Sequence, residues 1–301
     1  MSKKRISYLI STKDSLEYMK LCIRSIEKNS FYQDYEVLIY SEGSNKETND
    51  WISSEFTNDP NARFWIKPEK WDEKYWGVGG GFRFLAEKVK TPFIILLHSD
   101  MYCGPEFDRP LIDNLKDDMI ISSTRLEPDI WGNNIPEFTV RQIRPGTLGS
   151  HRNYFGDTYE NFDEELFNSF SNQFTYENNK TTKKTEGAGG FALTLVTYNK
   201  NGHPDPLFSP ASFEDADWII RAQLKGINCI QTSKSLIFHF GSRTCGFPTD
   251  DFSKKSERQI KSEIENQKKW LTKWNKPFIY DSSGFFSAEG MRIIDGSNIY
   301  R

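Results

Sequence analysis

The sequence predicts an α/β protein built on a mostly parallel central sheet that is flanked by helices. Short apolar runs typical of strands alternate with helical patterns over the first third of the chain. One of these runs, Phe93–Leu97, is apolar at every position, which is typical of a strand covered on both faces. The order strand, helix, strand, helix, strand implies right-handed crossovers and parallel pairing. A chain of 301 residues is long enough for one large α/β domain or two modest ones.

The first two strands are predicted at 6–10 and 37–40, each followed by a helix. The first helix has one apolar face, formed by Leu16, Met19, Ile23 and Ile26. The residues in capping-box spacing at the two helix starts are Asp14 with Glu17 and Ser44 with Glu47. A third helix, near 82–89, follows a glycine-rich stretch at 77–81 and leads to Phe93–Leu97.

The second half of the chain is predicted to be less regular. The stretch at 145–186 is polar and poor in aliphatic residues, so we expect a mobile segment that acts as a lid or an insertion. The elements predicted beyond it are a strand at 191–196, a helix at 215–224 capped by Ser212 and a strand at 235–238. A charged helix at 253–273 follows, with Ile260, Ile264 and Trp270 as its candidate docking contacts.

Composition excludes several classes of protein. The chain has 39 Lys and Arg against 42 Asp and Glu, a net charge of -3, which argues against a surface built for nucleic-acid phosphates. A hydrophobic content of 37% argues against disorder of the whole chain. No apolar stretch approaches the roughly 20 residues that cross a bilayer, and no signal-peptide pattern is recognised.

The cysteines show neither close pairing nor metal-finger spacing. They are predicted to be reduced thiols of a cytoplasmic protein, at Cys22, Cys103, Cys229 and Cys245.

Polar triplets follow the first, second and third apolar runs. Since ligands of open α/β sheets bind beyond the carboxyl ends of the strands, these triplets are expected to meet at one ligand-binding edge. The triplets are Ser11–Lys13, Ser41–Gly43 and His98–Asp100.

The last of these triplets is a candidate cation site. A carboxylate from Asp100 and an imidazole from His98 are reasonable ligands for Mn²⁺ or Mg²⁺. A polar turn after a strand explains the same residues equally well. His239, which also follows a predicted strand, is a further candidate, although single histidines more often have a structural role.

Two acidic residues, Glu214 and Asp215, stand at the start of a predicted helix. Helix capping explains such a pair, because the helix dipole stabilises negative charge at this end. A functional interpretation requires a carboxylate in a cleft that takes a proton from an incoming hydroxyl.

The ordered set of motifs resembles the family 2 glycosyltransferases with the GT-A fold, over Ile6 to Thr244. The branch it resembles most is the rhamnosyltransferase-like one, because of Phe238–Ser242 and the acidic helix start with Arg221. The motifs that carry the resemblance are Ser11-Thr12, Glu42-Gly43-Ser44, Gly80-Gly81-Phe82-Arg83, Leu97-His98-Ser99-Asp100, Gly189-Gly190-Phe191, Phe213-Glu214-Asp215 and Phe238-His239.

This resemblance implies roles for individual residues. The nucleotide-sugar contacts would be Ser11, Thr12, Glu42, Arg83, Ser99 and Asp100. A Mn²⁺ or Mg²⁺ ion would be held by Asp100, His239 and His98, the last standing where the family has an acid. The general base would be Asp215, and the acceptor would contact Glu214, Gly189 and Gly190.

The implied reaction is a single in-line displacement that inverts the anomeric carbon of a nucleotide-diphosphate sugar, with transfer to an acceptor hydroxyl. The segment at 145–186 would close over both substrates, and Trp71, Trp76 and Trp131 are candidates for stacking on sugar faces.

The same resemblance implies a GT-A catalytic domain over 1–250, with a nucleotide-sugar-binding half at 1–104 and an acceptor-binding half at 105–250. A helix and tail at 251–301 would follow, leaving association into a homo-oligomer open. Two alternatives remain, a catalytically inactive relative that binds carbohydrate or nucleotide sugar and a sugar-phosphate nucleotidyltransferase. The second is disfavoured because the loop after the first strand contains no glycine.

Overall fold

The computed structural model describes residues 4–127, 154–179, 182–184, 190–241, 243 and 257–275. Within these residues nine strands form one sheet, in the order β3-β2-β1-β4-β8-β6-β9-β5, and β7 pairs with β9. The strands are β1 (Ile6–Thr12), β2 (Tyr35–Glu42), β3 (Ala62–Lys67), β4 (Phe93–His98), β5 (Met101–Cys103), β6 (Met119–Leu126), β7 (Thr182–Lys184), β8 (Phe191–Thr194) and β9 (Asn228–His239). The helices are α1 (Leu16–Asn29), α2 (Lys46–Phe56), α3 (Gly77–Ala86), α4 (Asp108–Asp113), α5 (Glu164–Glu177), α6 (Leu195–Asn201), α7 (Glu214–Leu224) and α8 (Glu257–Trp274).

The predicted α/β architecture with a mostly parallel sheet is confirmed. Strands β3, β2, β1 and β4 are parallel neighbours, and β6 is parallel to β9. Strand β8 joins the two groups because it runs antiparallel to both β4 and β6. The carboxyl ends of β1, β2, β4, β6 and β9 therefore share one edge of the sheet.

Strand β4 shows why an uninterrupted apolar run predicts a covered strand. Ile95 and Leu97 pack in the core beneath α1, α2 and α4, while Ile94 and Leu96 pack in the core beneath α3, α6 and α7. All four side chains are buried, so both faces of the strand stabilise the fold by removing apolar surface from water.

Helix α3 begins earlier than predicted, at Gly77 rather than near Phe82. The glycine-rich stretch therefore forms the first turns of the helix instead of a loop before it. A Cβ atom at Gly81 would lie 2.2 Å from Ser11 Oγ and 2.9 Å from Tyr40 Cδ1. Glycine is required there because the helix backbone lies directly on β1 and β2.

The predicted helix caps are wrong in detail. Ser15 precedes α1 without a side-chain cap, whereas Asn45 caps α2 by accepting a hydrogen bond from Thr48 N at 2.9 Å. Asp14 adopts a positive φ of 52° and accepts a hydrogen bond from Asn45 N, which joins the loops after β1 and β2. Phe213, not Ser212, immediately precedes α7, also without a side-chain cap.

The stretch predicted to be mobile contains an ordered helix. Helix α5 packs on the aromatic cluster of the sheet, where the ring of Phe167 lies 5.7 Å from that of Phe238 and Phe174 is also buried. The prediction missed this helix because aromatic rather than aliphatic residues form its buried face. The part at 145–153 lies outside the described residues.

Strand β8 is shorter than predicted and β9 is longer. After Thr194 the chain turns into α6, and the Thr194 side chain caps that helix by accepting a hydrogen bond from Thr197 N. Strand β9 starts at Asn228, ahead of the predicted start at Ser235, and follows β6 with a register shift after Ser123.

Helix α8 packs on its own domain through Trp270, which is fully buried, whereas Ile264 is exposed. No helix within the described ranges has the length and apolar character needed to span a membrane. Cys22, Cys103 and Cys229 are buried, and Cys245 lies outside the described residues, so their reduced state stays a prediction.

Candidate metal and acid site

Strand pairing brings Asp100 and His239 together from distant parts of the sequence. Met101 on β5 is the register partner of His239 on β9, and Phe240 N donates a hydrogen bond to Asp100 O at 2.9 Å. On the other side of β9, Leu126 pairs with Phe238, so that Glu127 follows beside His239. The site therefore forms where β4, β6 and β9 end.

Three potential ligands converge at this edge. Ligand atoms of His98, Asp100 and His239 all lie within 4.8 Å of one another. The carboxylate of Asp100 is 2% exposed, and its Oδ2 accepts a hydrogen bond from Arg243 N at 3.1 Å. The predicted candidate ligand set is thus assembled in one place.

The two ring nitrogens of His239 have different surroundings: Nδ1 contacts a carboxylate, and Nε2 faces Asp100 and the rest of the cluster. Its Nδ1 lies 2.6 Å from Glu127 Oε1, and that carboxylate also pairs with Arg125 Nε at 2.9 Å. Its buried Nε2 lies 3.3 Å from Asp100 Oδ1, but without the alignment of a hydrogen bond, so it has no hydrogen-bond partner among the described residues. A buried nitrogen of this kind next to a carboxylate and a second imidazole fits a divalent cation.

The pKa values of the three groups diverge. Burial lowers the pKa of His98 to about 4, and the charge of His239 acts in the same direction. Burial opposes charge on His239 as well, but the carboxylates of Asp100 and Glu127 raise its pKa to about 9. Burial would raise the pKa of Asp100, yet the neighbouring charge of His239 holds it well below its usual range. The raised pKa of His239 and the lowered pKa of Asp100 favour an ion pair between them, whereas the lowered pKa of His98 favours its neutral form.

Phe82, rather than Arg83, faces the cluster from α3. Its ring lies nearly parallel to the ring of His98, with centroids 5.8 Å apart. The described partners of Arg83 are Glu87, at 3.5 Å, and the ring of Tyr75. None of these contacts supports the predicted role of Arg83 at the diphosphate, which stays a prediction.

Glu214 and Asp215 form the first turn of α7, and the charges of Arg125 and His239 reach Asp215 from the cluster. Burial raises the pKa of Asp215 despite those charges and its hydrogen bond from Ala216 N. Burial also raises the pKa of Glu214, with the adjacent Asp215 adding to the effect. Glu214 Oε2 has no hydrogen-bond partner in the part of the chain that the structure describes. Raised pKa values in paired acids are typical of groups that exchange protons.

Hydroxyl groups at the ends of β1 and β4 are connected to each other. Thr12 Oγ1 lies 2.9 Å from Ser15 Oγ, which lies 2.9 Å from Ser99 Oγ. Thr12 and Ser99 are buried, so this row of hydrogen-bonded hydroxyl groups lies beneath the surface of the ligand-binding edge. Ser11 lies beside it, half-buried under Gly81.

Glu42 has a structural task in addition to its predicted contact with the nucleotide. Its Oε1 accepts a hydrogen bond from Lys70 N at 3.0 Å and its Oε2 one from Gly77 N at 2.8 Å. The buried carboxylate therefore fastens the loop that leads into α3.

The remaining candidates are placed as follows. Gly190 is buried with a φ of 55°, and a Cβ atom there would lie 2.4 Å from Ile237 Cδ1, which accounts for glycine on packing grounds. Trp71 stacks on Tyr75 and donates to Tyr40 Oη, while Lys70 covers the ring of Trp76 at 4.0 Å. Gly189 and Trp131 lie outside the described residues.

The sequence interpretation missed four residues around the site, namely Phe82, Arg125, Glu127 and Arg243. Arg125 lies on β6 and Glu127 directly follows it, and the sequence did not reveal this strand because β6 is rich in serine and threonine. Arg243 contacts Asp100 through its backbone N–H, and a backbone contact cannot be predicted from the type of side chain.

Comparisons with known proteins identify the family and agree with the fold. The family model described as "Glycosyl transferase family 2" matches residues 7–202. The structure is similar to a crystal structure of GalNAc-T7 with UDP, GalNAc and Mn²⁺, at 12% identity and a TM-score of 0.55, over 79% of this chain and 44% of that one. It is also similar to residues 1–349 of S. aureus TarS, at 14% identity and a TM-score of 0.50, over 78% of this chain and 60% of that one. The chain thus spans less than two thirds of either structure, and no curated protein sequence matches it.

Proposed function

This chain belongs to glycosyl transferase family 2 and has the GT-A fold, and we propose that it transfers a sugar from a nucleoside-diphosphate sugar to an acceptor hydroxyl with inversion. The observation that carries the proposal is the position of the acid pair, of which Glu214 is buried and Asp215 partly buried, within reach of the charge of His239 in the candidate ligand cluster. Nucleotide sugar and acceptor are the proposed substrates, and the rhamnosyltransferase-like branch stays a prediction.

The cation site is assigned to Asp100, His239 and His98. The buried Nε2 of His239, which lies 3.3 Å from Asp100 Oδ1 without making a well-aligned hydrogen bond, supports this assignment. A bound Mn²⁺ or Mg²⁺ ion would offset the negative charge that grows on the leaving diphosphate. GalNAc-T7, whose fold this chain shares, was crystallised with Mn²⁺ and UDP.

Asp215 is the proposed general base. As the acceptor oxygen attacks the anomeric carbon, its proton passes to the Asp215 carboxylate and the bond from the anomeric carbon to the diphosphate oxygen breaks. A raised pKa suits this task, since a base works best when its pKa lies near the working pH. Glu214, its buried neighbour, is the proposed acceptor contact, together with Gly189 and Gly190.

The donor is proposed to lie across the ends of β1, β2 and β4. Thr12 and Ser99 contribute to the row of hydrogen-bonded hydroxyl groups, Ser11 lies beside them and Glu42 fixes the loop before α3. Arg83 is kept as a proposed diphosphate contact on the family resemblance alone.

The test is release of nucleoside diphosphate from a panel of sugar nucleotides, with Mn²⁺ and a panel of hydroxyl acceptors. Asp215→Asn should retain donor binding while transfer falls by about 100-fold or more. Asp100→Ala should weaken Mn²⁺-dependent binding of the nucleotide. Transfer by Asp215→Asn at the wild-type rate would show that the base is another residue.

The same panel separates the two alternatives. A catalytically inactive relative would bind sugar nucleotides without releasing nucleoside diphosphate. A nucleotidyltransferase would release pyrophosphate from a nucleoside triphosphate and a sugar phosphate instead.

A further inference from the structure

We infer that helix α8 is a positioning element for the Glu214–Asp215 pair, and that Asn266 is the residue through which it acts. The inference rests on the proposed function, in which this pair serves the acceptor. Helix α8 lies beyond residues 7–202, the part that matches the family model, so the inference concerns a feature of this chain rather than of the matched region.

Asn266 binds the loop that leads into the acid pair. Its side chain is fully buried, and the two N–H groups of its Nδ2 are shared among three backbone carbonyls: Phe208 O at 2.8 Å, Ala211 O at 2.9 Å and Ser212 O at 3.0 Å. Its Oδ1 accepts a hydrogen bond from Lys269 Nζ at 2.9 Å, which fixes the orientation of the amide. All three acceptors lie within six residues of Glu214.

The loop needs such support because its backbone is strained where it meets α7. Ser212 and Phe213 adopt φ values of 80° and 76°, a region that is unfavourable for residues with a side chain. No side chain caps the helix that follows. Placing two acids in the first turn adds further unfavourable energy through burial and mutual repulsion. A conformation of this kind persists only when its surroundings hold it.

The opposite side of the loop is held by α3. Ser209 Oγ donates to Trp76 O at 2.7 Å, and Val78 N donates to Pro210 O at 2.9 Å. The loop therefore lies between α3 and α8. Helix α3 also borders the candidate cation cluster, through Phe82.

Helix α8 also holds the chain after the acid pair. Asp217 is fully buried two residues beyond Asp215, and its Oδ1 lies 2.6 Å from Lys273 Nζ and 3.1 Å from Trp274 Nε1. Its Oδ2 pairs with Arg221 at 2.8 Å. The polar anchors of α8 thus bracket the pair on both sides, which is the arrangement expected of an element that orients it.

Asn266→Leu tests this role, because leucine has a similar branched shape but no donor. We expect amide exchange of residues 208–217 to rise by about tenfold, with exchange in β1, β2 and β4 unchanged. We expect the kcat for release of nucleoside diphosphate to fall by about tenfold or more, with donor KM and Mn²⁺ affinity within about twofold of wild type. Gln267→Ala, at the exposed neighbouring position of the same helix, is the matched control and should leave all readouts unchanged.

Lys273→Met provides a second variant if Asn266→Leu does not fold. Lys273 is partly exposed, and Asp217 keeps its ion pair with Arg221 when Lys273 is replaced. The same split between kcat and KM is expected. Exchange that rises throughout the sheet, or a kcat that does not change although the loop opens, would overturn the inference. A wild-type protein that releases no nucleoside diphosphate would refute the proposed function, while the exchange measurement would still decide whether α8 holds the loop.

Discussion

Glu127 Oε1 lies 2.6 Å from Nδ1 of His239, on the side of the imidazole ring that faces away from Asp100. In a neutral ring, the form that can ligate a cation, a carboxylate in this position favours the tautomer with a proton on Nδ1 and leaves the lone pair of Nε2 directed at the cluster. Glu127 is therefore the residue expected to orient His239, the proposed ligand.

Replacing Glu127 by alanine should lower the affinity for Mn²⁺ by about 10- to 100-fold, because the ring loses the partner that fixes its tautomer and orientation. Glu127→Gln, which retains an acceptor oxygen, should recover part of the loss. Titration calorimetry with Mn²⁺ measures both. Glu55→Gln, at an exposed position, is the control, and equal affinities for wild type and Glu127→Ala would contradict the assignment.

The ligand set predicts a preference among divalent cations. Two imidazoles and one carboxylate favour Mn²⁺ over Mg²⁺, since Mg²⁺ prefers oxygen ligands. His98→Asp should shift the ratio of the two affinities toward Mg²⁺ by about tenfold. Competition between the ions, followed by the electron paramagnetic resonance of free Mn²⁺, measures that ratio. His203→Asn removes an imidazole outside the cluster and should leave it unchanged; no shift in His98→Asp would exclude His98 as a ligand.

Glu214→Gln should stabilise the protein at neutral and alkaline pH. Burial beside Asp215 raises the pKa of Glu214, so the folded state retains a proton that the unfolded chain releases. The stability contributed by this group is therefore present below about pH 4.5, its ordinary value, and is lost as the pH rises through the higher folded pKa. The variant lacks this loss, so the difference in Tm between variant and wild type should grow from near zero at pH 4.5 to several degrees at pH 9. Glu265→Gln, on the exposed side of α8, should show no such trend, and a variant less stable than wild type at pH 9 would be inconsistent with the buried acid.

Gly81→Ala should destabilise the fold by about 1–3 kcal/mol, since its methyl group would overlap Ser11 and Tyr40 beneath α3. The closest overlap, at 2.2 Å, is with Ser11 Oγ, so Ser11→Ala should relieve part of it. Urea denaturation of the two single variants and the double variant gives the coupling between them. Strictly additive losses would mean that α3 moves away from β1 instead.

Sequence patterns predicted the parts of the fold in which the order of apolar and polar residues along the chain reflects burial directly. Phe93–Leu97 could be assigned because a strand covered on two faces leaves no polar position, and His98 and Asp100 could be placed at the ligand edge because they follow it. Strand β6 escaped notice because its buried positions include Ser122, Ser123 and Thr124, whose hydroxyls are satisfied by neighbouring strands. Glu127, which directly follows β6, was missed because the strand itself was not recognised.

The caps show a second limit of sequence reasoning. Ser44 and Asn45 are both good caps, and only the hydrogen bond from Thr48 N decides between them. Phe213 precedes α7 in a left-handed conformation that no local preference predicts, and the carbonyl of Ser212 just before it contacts Asn266, 54 residues away in sequence. Long-range contacts of this kind carry no signature in the adjacent residues.

The register of Met101 with His239 has a consequence for folding kinetics. The two strands are far apart in sequence and are brought together only when a large loop closes, a step that is slow because it sacrifices chain entropy. A nascent or partly folded chain that lacks this antiparallel pair has Asp100 without His239, so the proposed cation site is incomplete in it. Added Mn²⁺ should accordingly slow unfolding while leaving the refolding rate nearly constant, as expected for a contact absent from the transition state.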